Sequence, residues 1–316
     1  MSGGAWRYRA PWWLPGGHLQ TLAAALAPAP RIAWRRERWQ TPDGDFVDVD
    51  WAGDRAARRL VALFHGLEGS SASPYARALA AEGARSGWQI AVAHFRGCSG
   101  EPNRLARAYH SGDSAEAHWI LERFAARGLP VCAAGVSLGA NVLLKWLGES
   151  GERARALVHR AAAVSAPLDL AAAARALDRG LRRRLYTRHF LATLRRKAIA
   201  KLERHPGLYD PARVRAARTF REFDDLVTAP LHGFRDADDY WARASSGPWL
   251  ARIAVPTLVL NARNDPFLPA EALEAAAAPA RANPALRLEF PDSGGHAGFP
   301  GRGRWLARRV LDFFQA

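Results

Sequence analysis

Short apolar runs alternate with helical stretches along most of the chain. Leu60 to Phe64 predicts a strand, Tyr75 to Ala84 a helix, and Gln89 to Phe95 a second strand that runs into the loop Arg96-Gly97-Cys98-Ser99-Gly100. Asp113 to Ala126 predicts a helix, Leu129 to Val136 a strand, and Leu138 to Leu147 a helix. Val158 to Val164, Thr257 to Leu260 and Leu286 to Phe290 predict further strands, and Trp305 to Phe314 a last helix. Strands that alternate with helices in this way call for a mostly parallel sheet covered on both faces, the α/β class. Two stretches depart from the alternation. Ile32 to Trp39 and Phe46 to Trp51 flank the turn signal Thr41-Pro42-Asp43-Gly44-Asp45, which predicts an antiparallel hairpin at the sheet edge. From Leu168 to about Trp249 the strands stop, and Leu177, Leu181, Leu185, Leu191, Leu194 and Leu202 recur at helical spacing among arginines. The expected organisation is therefore a core of residues 1–167 and 250–316, interrupted by a helical insertion, or lid, over 168–249.

Charge and composition narrow the classes. The formal net charge is +15, yet of 45 basic residues only Lys145, Lys197 and Lys201 are lysine, and alanine runs such as Ala171 to Ala174 are frequent. That pattern reads as a compositional bias spread over the surface, with a polyanion-binding face as the alternative. The arginines are dispersed rather than grouped with aromatics in a known module, so no nucleic acid is expected as a partner. The stretch with Arg182, Arg183, Arg184, Arg188, Arg195, Arg196 and Lys197 could lie on anionic lipid or be a solvated face. No apolar run is long enough to span a bilayer, and Met1 to Arg9 lacks a charged segment followed by an apolar core. The expected location is the cytoplasm, with peripheral contact at the inner face of the membrane if the basic stretch binds lipid. Cys98 and Cys132 have no metal-site spacing and read as buried thiols.

The strongest chemical signal is Gly135-Val136-Ser137-Leu138-Gly139, between a strand and a helix. This is the context of a nucleophile elbow, where a serine stands on a strained turn and small neighbours avoid collision with adjacent backbone. Such a serine needs a base, and the base needs an orienting carboxylate. In the strand–turn–helix setting the chain order is serine, acid, histidine. Among ten histidines, His296 lies in a glycine-flanked loop just past the last strand; His232, inside the insertion, is the alternative. Asp265 follows the strand ending at Leu260 and is the expected acid, with Asp236, Asp238 and Asp239 as alternatives by order alone. The oxyanion hole should use the backbone N–H of Leu138 and that of Leu67 in His65-Gly66-Leu67-Glu68-Gly69, each worth about a hundred- to a thousandfold in rate. His65 reads as a structural residue at the strand end.

These blocks carry a family resemblance. Pro11-Trp12-Trp13-Leu14-Pro15-Gly16-Gly17-His18-Leu19-Gln20-Thr21-Leu22, His65-Gly66-Leu67-Glu68-Gly69-Ser70, His94-Phe95-Arg96-Gly97-Cys98-Ser99-Gly100 and Tyr109-His110-Ser111-Gly112 join the Ser137 elbow, Asn264-Asp265-Pro266 and Gly294-Gly295-His296. Together they resemble the α/β-hydrolase group of YheT-like and ABHD1/2/3-like (EMB8-type) serine hydrolases, to which yeast medium-chain alcohol acyltransferases are related. The resemblance implies carboxylic-ester hydrolysis through Ser137, His296 and Asp265 by way of an acyl-enzyme, without cofactor. The expected activity is that of a carboxylesterase on short- to medium-chain acyl esters. Its alternatives are a lipase, phospholipase or alcohol acyltransferase on lipid acyl groups at anionic membranes, and a non-catalytic binding protein on the same fold. No chemical role follows for the N-terminal Pro-Trp-Trp to Gln segment, which reads as packing over the core near the site mouth.

Overall fold

The computed structural model describes residues 7–301 and 303–316. Met1 to Trp6, the start of the segment read for an export signal, lie outside the described residues. The chain opens with helix α1 (Gly16–Leu26) and the antiparallel hairpin of β1 (Arg35–Gln40) and β2 (Phe46–Ala52). The Thr41 to Asp45 turn closes that hairpin: the Thr41 N–H donates to the Asp45 carbonyl at 3.0 Å, and Gly44 takes φ 83°, which glycine adopts without steric cost.

β3 (Leu60–Phe64), α2 (Pro74–Arg85), β4 (Gln89–Ala93), α3 (Ser114–Ala125), β5 (Val131–Val136), α4 (Leu138–Ser150) and β6 (Arg160–Val164) follow. β3, β4 and β5 are buried along their whole length, because helices cover both faces and every side chain meets apolar surface. After the insertion come β7 (Thr257–Leu260) and β8 (Leu286–Glu289), and the chain closes on a helix over Trp305–Gln315. The sheet order is β1-β2-β4-β3-β5-β6-β7-β8; β2 runs antiparallel to both its neighbours and all other pairs are parallel. This is an α/β-hydrolase fold with an antiparallel N-terminal edge.

The register decides where the site can be. Phe64 pairs with Gly135, Val136 with Val164, Val164 with Leu260, and Leu260 with Glu289. The chain thus leaves β3, β5, β7 and β8 at one edge, where loops of parallel sheets carry ligands. Beneath that edge lie two apolar layers. One packs Ile120, Phe124, Leu143 and Trp146 on one face of the sheet; the other packs Leu79, Val310, Leu311 and Phe314 on the opposite face. Cys132 lies within β5 and Cys98 in the loop after β4; burial pushes their thiols up to about 12 and about 11.

Between β6 and β7 the described residues are helical or irregular: α5 (Leu170–Leu177), α6 (Gly180–Arg182), α7 (Arg188–Lys201), α8 (Pro211–Ala216), α9 (Phe220–Phe223), α10 (Ala229–His232) and α11 (Ala237–Ala244). A π turn over Arg183–Thr187 joins α6 to α7, and another over Asp224–Thr228 joins α9 to α10. The leucine series does not form one helix. The Asp178 carboxylate accepts from the N–H groups of Phe220 and Arg221 at 2.8 and 3.3 Å, and the chain turns there between α5 and α6. Leu177 and Leu191 are consequently buried, whereas Leu181 and Leu185 face outward.

Candidate active site

Ser137 stands between β5 and α4, as the N-cap of α4, with φ 54° and ψ −118°. Its neighbours explain the glycines. A Cβ on Gly135 would stand 2.6 Å from the Ala140 Cα, and one on Gly139 would stand 2.4 Å from the Phe64 carbonyl oxygen. The Ser137 N–H donates to the Val164 carbonyl at 2.8 Å and ties the turn to β6. His296 Nε2 lies 2.8 Å from Ser137 Oγ, and His296 Nδ1 lies 2.8 Å from Asp265 Oδ2. The Asp265 side chain is buried, and its other oxygen accepts from the Phe267 N–H at 2.7 Å. Phe267 in turn stacks on the imidazole, with centroids 3.8 Å apart and planes within 10°. The three side chains therefore form one hydrogen-bonded chain, roofed by an aromatic ring. With Asp265 holding Nδ1–H, Nε2 is left as the acceptor facing the serine hydroxyl.

The alternatives lie elsewhere. Asp238 pairs with Arg221 and Asp239 with Arg235 and Arg243, and the Asp236 carboxylate caps α11. His232 packs against His110 with ring centroids 4.5 Å apart, in the wall of a cavity under the insertion; burial pushes them down to about 3 and about 4 respectively.

The loop after β3 lies against the serine: a Cβ on Gly66 would stand 3.2 Å from the Ser137 Cβ. The Gly66 N–H donates to the Tyr75 hydroxyl at 2.9 Å, and the Glu68 N–H donates to the Tyr109 hydroxyl at 3.0 Å. Between them, the Leu67 N–H donates to no protein group among the described residues. Leu138 opens α4, so its N–H has no carbonyl one turn below, and the positive end of the helix dipole points the same way. His65 sits beneath, buried and pushed down to about 3 by that burial; its Nε2 accepts from the Phe95 N–H at 3.0 Å. Glu68, at φ 56°, accepts from the Tyr109 hydroxyl at 2.9 Å and from Lys197 Nζ of α7 at 2.8 Å, which links the insertion to this loop.

Sequence reasoning missed the part played by α1. Gln20 Oε1 accepts from the Gly294 N–H at 2.8 Å and from Asn264 Nδ2 at 3.0 Å. Thr21 Oγ1 accepts from the His296 N–H at 2.8 Å while donating to the Gly17 carbonyl. A Cβ on Gly17 would run into the Asn264 carbonyl, and one on Gly295 would stand 2.7 Å from the Thr21 N. The helix thus grips the loops that carry Asp265 and His296. No local sequence signal marks Gln20 and Thr21 for this role, because their partners lie near the other end of the chain.

Among the described residues, no group of three or more His, Cys, Asp or Glu side chains converges as a metal site would require. Two cavities meet at Ser137 and His296. One of about 550 Å³ runs under the insertion past Leu170, Leu177, Phe190 and Phe220. The other, about 900 Å³, runs between α1 and α7 past Leu22, Leu26, Leu185 and Phe299.

Residues 59–301 match the family described as alpha/beta hydrolase fold. This chain belongs to the α/β-hydrolase family. The hydrolase is 40% identical to YheT of Escherichia coli K12, a protein named as an esterase, over 94% of this chain and 89% of that one. It is 29% identical to the mouse phospholipase ABHD3, over 93% of this chain and 74% of the relative. A medium-chain fatty acid ethyl ester synthase/esterase of Saccharomyces cerevisiae is 31% identical over 81% of the hydrolase and 61% of its own length. Among solved structures, an esterase of Pyrococcus furiosus superposes with a TM-score of 0.57 at 16% identity, covering 90% of the hydrolase and 91% of that chain. That likeness is one of fold.

Proposed function

We propose that the hydrolase is a serine carboxylesterase that works through Ser137, His296 and Asp265 and an acyl-enzyme. The observation that carries this reading is the continuous hydrogen-bonded chain from Asp265 through His296 to a serine held on a strained strand–helix turn. His296 Nε2 takes the Ser137 proton as Oγ attacks the ester carbonyl carbon. The N–H groups of Leu67 and Leu138 receive the oxyanion. Collapse breaks the bond to the alcohol, which leaves with the proton from His296; water then attacks the acyl-enzyme and loses its proton to the same nitrogen, the bond to Ser137 Oγ breaks as His296 returns that proton to it, and the acid is released. The helical insertion acts as a lid that excludes bulk water from the reacting carbonyl.

Both cavities reach the serine, so the acyl chain and the alcohol can each be enclosed, which supports medium-chain acyl esters as substrates. The same enclosure favours one second reading. If an alcohol rather than water occupies the second cavity when the acyl-enzyme forms, the product is a new ester. The names of the yeast and mammalian relatives point in the same directions, to ester synthesis and to lipid esters.

Labelling with a fluorophosphonate probe, together with a series of acyl esters from acetyl to palmitoyl, tests the proposal. The wild type is expected to label and to turn over esters, and Ser137→Ala to do neither while melting at the same temperature. Equal labelling of Ser137→Ala would overturn the assignment. Adding ethanol to the ester assay separates hydrolysis from acyl transfer by product.

A further inference from the structure

Helix α1 is inside out. Its buried residues are polar, Gln20 and Thr21, whereas Leu19 and Leu26, two turns apart on one face, are 49% and 82% exposed. Just before it, Trp12 and Trp13 are 87% and 59% exposed. Tyr186 hydrogen-bonds His18 at 3.0 Å and stacks on it, which sets the segment from α6 to the π turn beside α1. That segment supplies Leu181 and Leu185, which complete the exposed large hydrophobic side chains among the described residues. Six such side chains confined to two touching segments are not the scattered apolar residues of an ordinary surface. Leu26 and Leu185 also line the larger cavity, which leads to Ser137.

Charge selects the occupant. From Met1 to Arg36, and again from Arg179 to Leu202, the sequence contains no Asp or Glu. Arg182, Arg183, Arg184 and Arg188 form no ion pair among the described residues, although elsewhere most carboxylates are paired. An apolar patch with tryptophans at its rim and a surrounding excess of positive charge is what an anionic bilayer surface recognises. A second copy of this chain would set that positive field against itself.

We propose that Trp12, Trp13, Leu19, Leu26, Leu181 and Leu185 form a docking surface for an anionic lipid bilayer, with the mouth of the larger cavity opening onto the acyl layer. The hydrophobic residues enter the headgroup boundary, and the arginines of the π-turn segment meet lipid phosphates. An ester in the outer acyl layer then has a path to Ser137 that never crosses water; this last step rests on the esterase reading, whereas the docking itself does not.

The test is co-sedimentation of the full chain, and of its Ser137→Ala variant, with vesicles of phosphatidylglycerol and phosphatidylcholine in equal parts or of phosphatidylcholine alone. The wild type and Ser137→Ala are expected to bind the anionic vesicles at low salt and to bind phosphatidylcholine at least tenfold more weakly. Combined Trp12→Ser, Trp13→Ser and Leu181→Ser changes should weaken binding at least tenfold and leave turnover of a water-soluble acetyl ester unchanged. Combined Arg182→Gln, Arg183→Gln and Arg184→Gln changes should remove the preference for anionic vesicles, and provide a second test if the first variant does not fold. Lipids brominated in the acyl chain should quench wild-type tryptophan emission on binding. Failure of the wild type to bind, equal binding by both sets of variants, or a dimer dissociated by the tryptophan changes would overturn the proposal. Binding without ester turnover would leave docking intact and refute the esterase; turnover without binding would do the reverse.

Discussion

Ser137 at φ 54° occupies a backbone region that costs an L-residue roughly 1–3 kcal/mol. What holds it is the packing of Gly135 and Gly139 against their neighbours, so the strain is supported by backbone contacts rather than by the serine side chain. The residues of α1 act one step further out. Thr21→Val removes the acceptor of the His296 N–H without changing side-chain size. On a soluble ester, kcat is expected to fall by roughly ten- to a hundredfold with KM nearly unchanged, because a misplaced base slows the chemistry rather than binding. Thr21→Ser, which keeps the hydroxyl, should restore the rate. Gln20→Ala leaves the Gly294 N–H and Asn264 Nδ2 without an acceptor, and the denaturant midpoint should drop by an equivalent of about 1–3 kcal/mol. Ser137, Asp265 and His296 could be chosen from the sequence because each follows a recognisable apolar strand. Gln20 and Thr21 could not, because their partners lie near the opposite end of the chain and no local periodicity announces such a contact.

At the level of elements, the link between α7 and the loop after β3 carries a consequence for rate. Lys197 contacts Glu68, which follows Leu67 in the loop after β3 and is held there by the Tyr109 hydroxyl. Lys197→Met is expected to lower kcat/KM on a soluble ester by roughly three- to tenfold, about 1 kcal/mol in transition-state terms. Glu68→Gln should have a similar effect, and the double variant should be no worse than either single one, since residues acting as one unit are not additive. The parallel strands were readable within about two residues, as short apolar runs that alternate with helical stretches admit few other structures. The insertion was readable as helical but not in its breaks. The stop after Leu177 depends on Asp178 meeting Phe220 and Arg221, a contact far along the chain, and leucine spacing alone cannot show it. Helix α1 was missed as a helix because Gln20 and Thr21 face inward while Leu19 and Leu26 face outward, the reverse of the usual pattern.

For the whole molecule, buried histidine links stability to pH. Burial holds His65 down to about 3 from an ordinary value of 6.5. Below about pH 6.5 the unfolded chain takes up a proton that the folded chain refuses, so stability falls as pH drops from there towards 3 and is complete above it. The slope from this one residue is about 1.4 kcal/mol per pH unit. His110 and His232, shifted in the same direction, add to it. Urea midpoints measured at neutral pH and near pH 5 check the sign; a protein equally stable at both would contradict the burial argument. The sheet class and its antiparallel edge were legible as a whole, because alternation of strands and helices leaves few topologies. The large positive charge was legible as a quantity but not as a location, since pairing of carboxylates depends on the fold.

The Thr21 hydroxyl and the His296 N–H are separated by 275 residues. Contacts of such long range form only after the chain between them has closed into a loop, and that closure is slow. Sheet and helices can therefore assemble before the histidine loop is seated. In refolding experiments the far-ultraviolet signal of secondary structure should recover first, and ester turnover later. Catalytic competence would then serve as a timer for the last event of folding, the moment the two ends of the sequence meet.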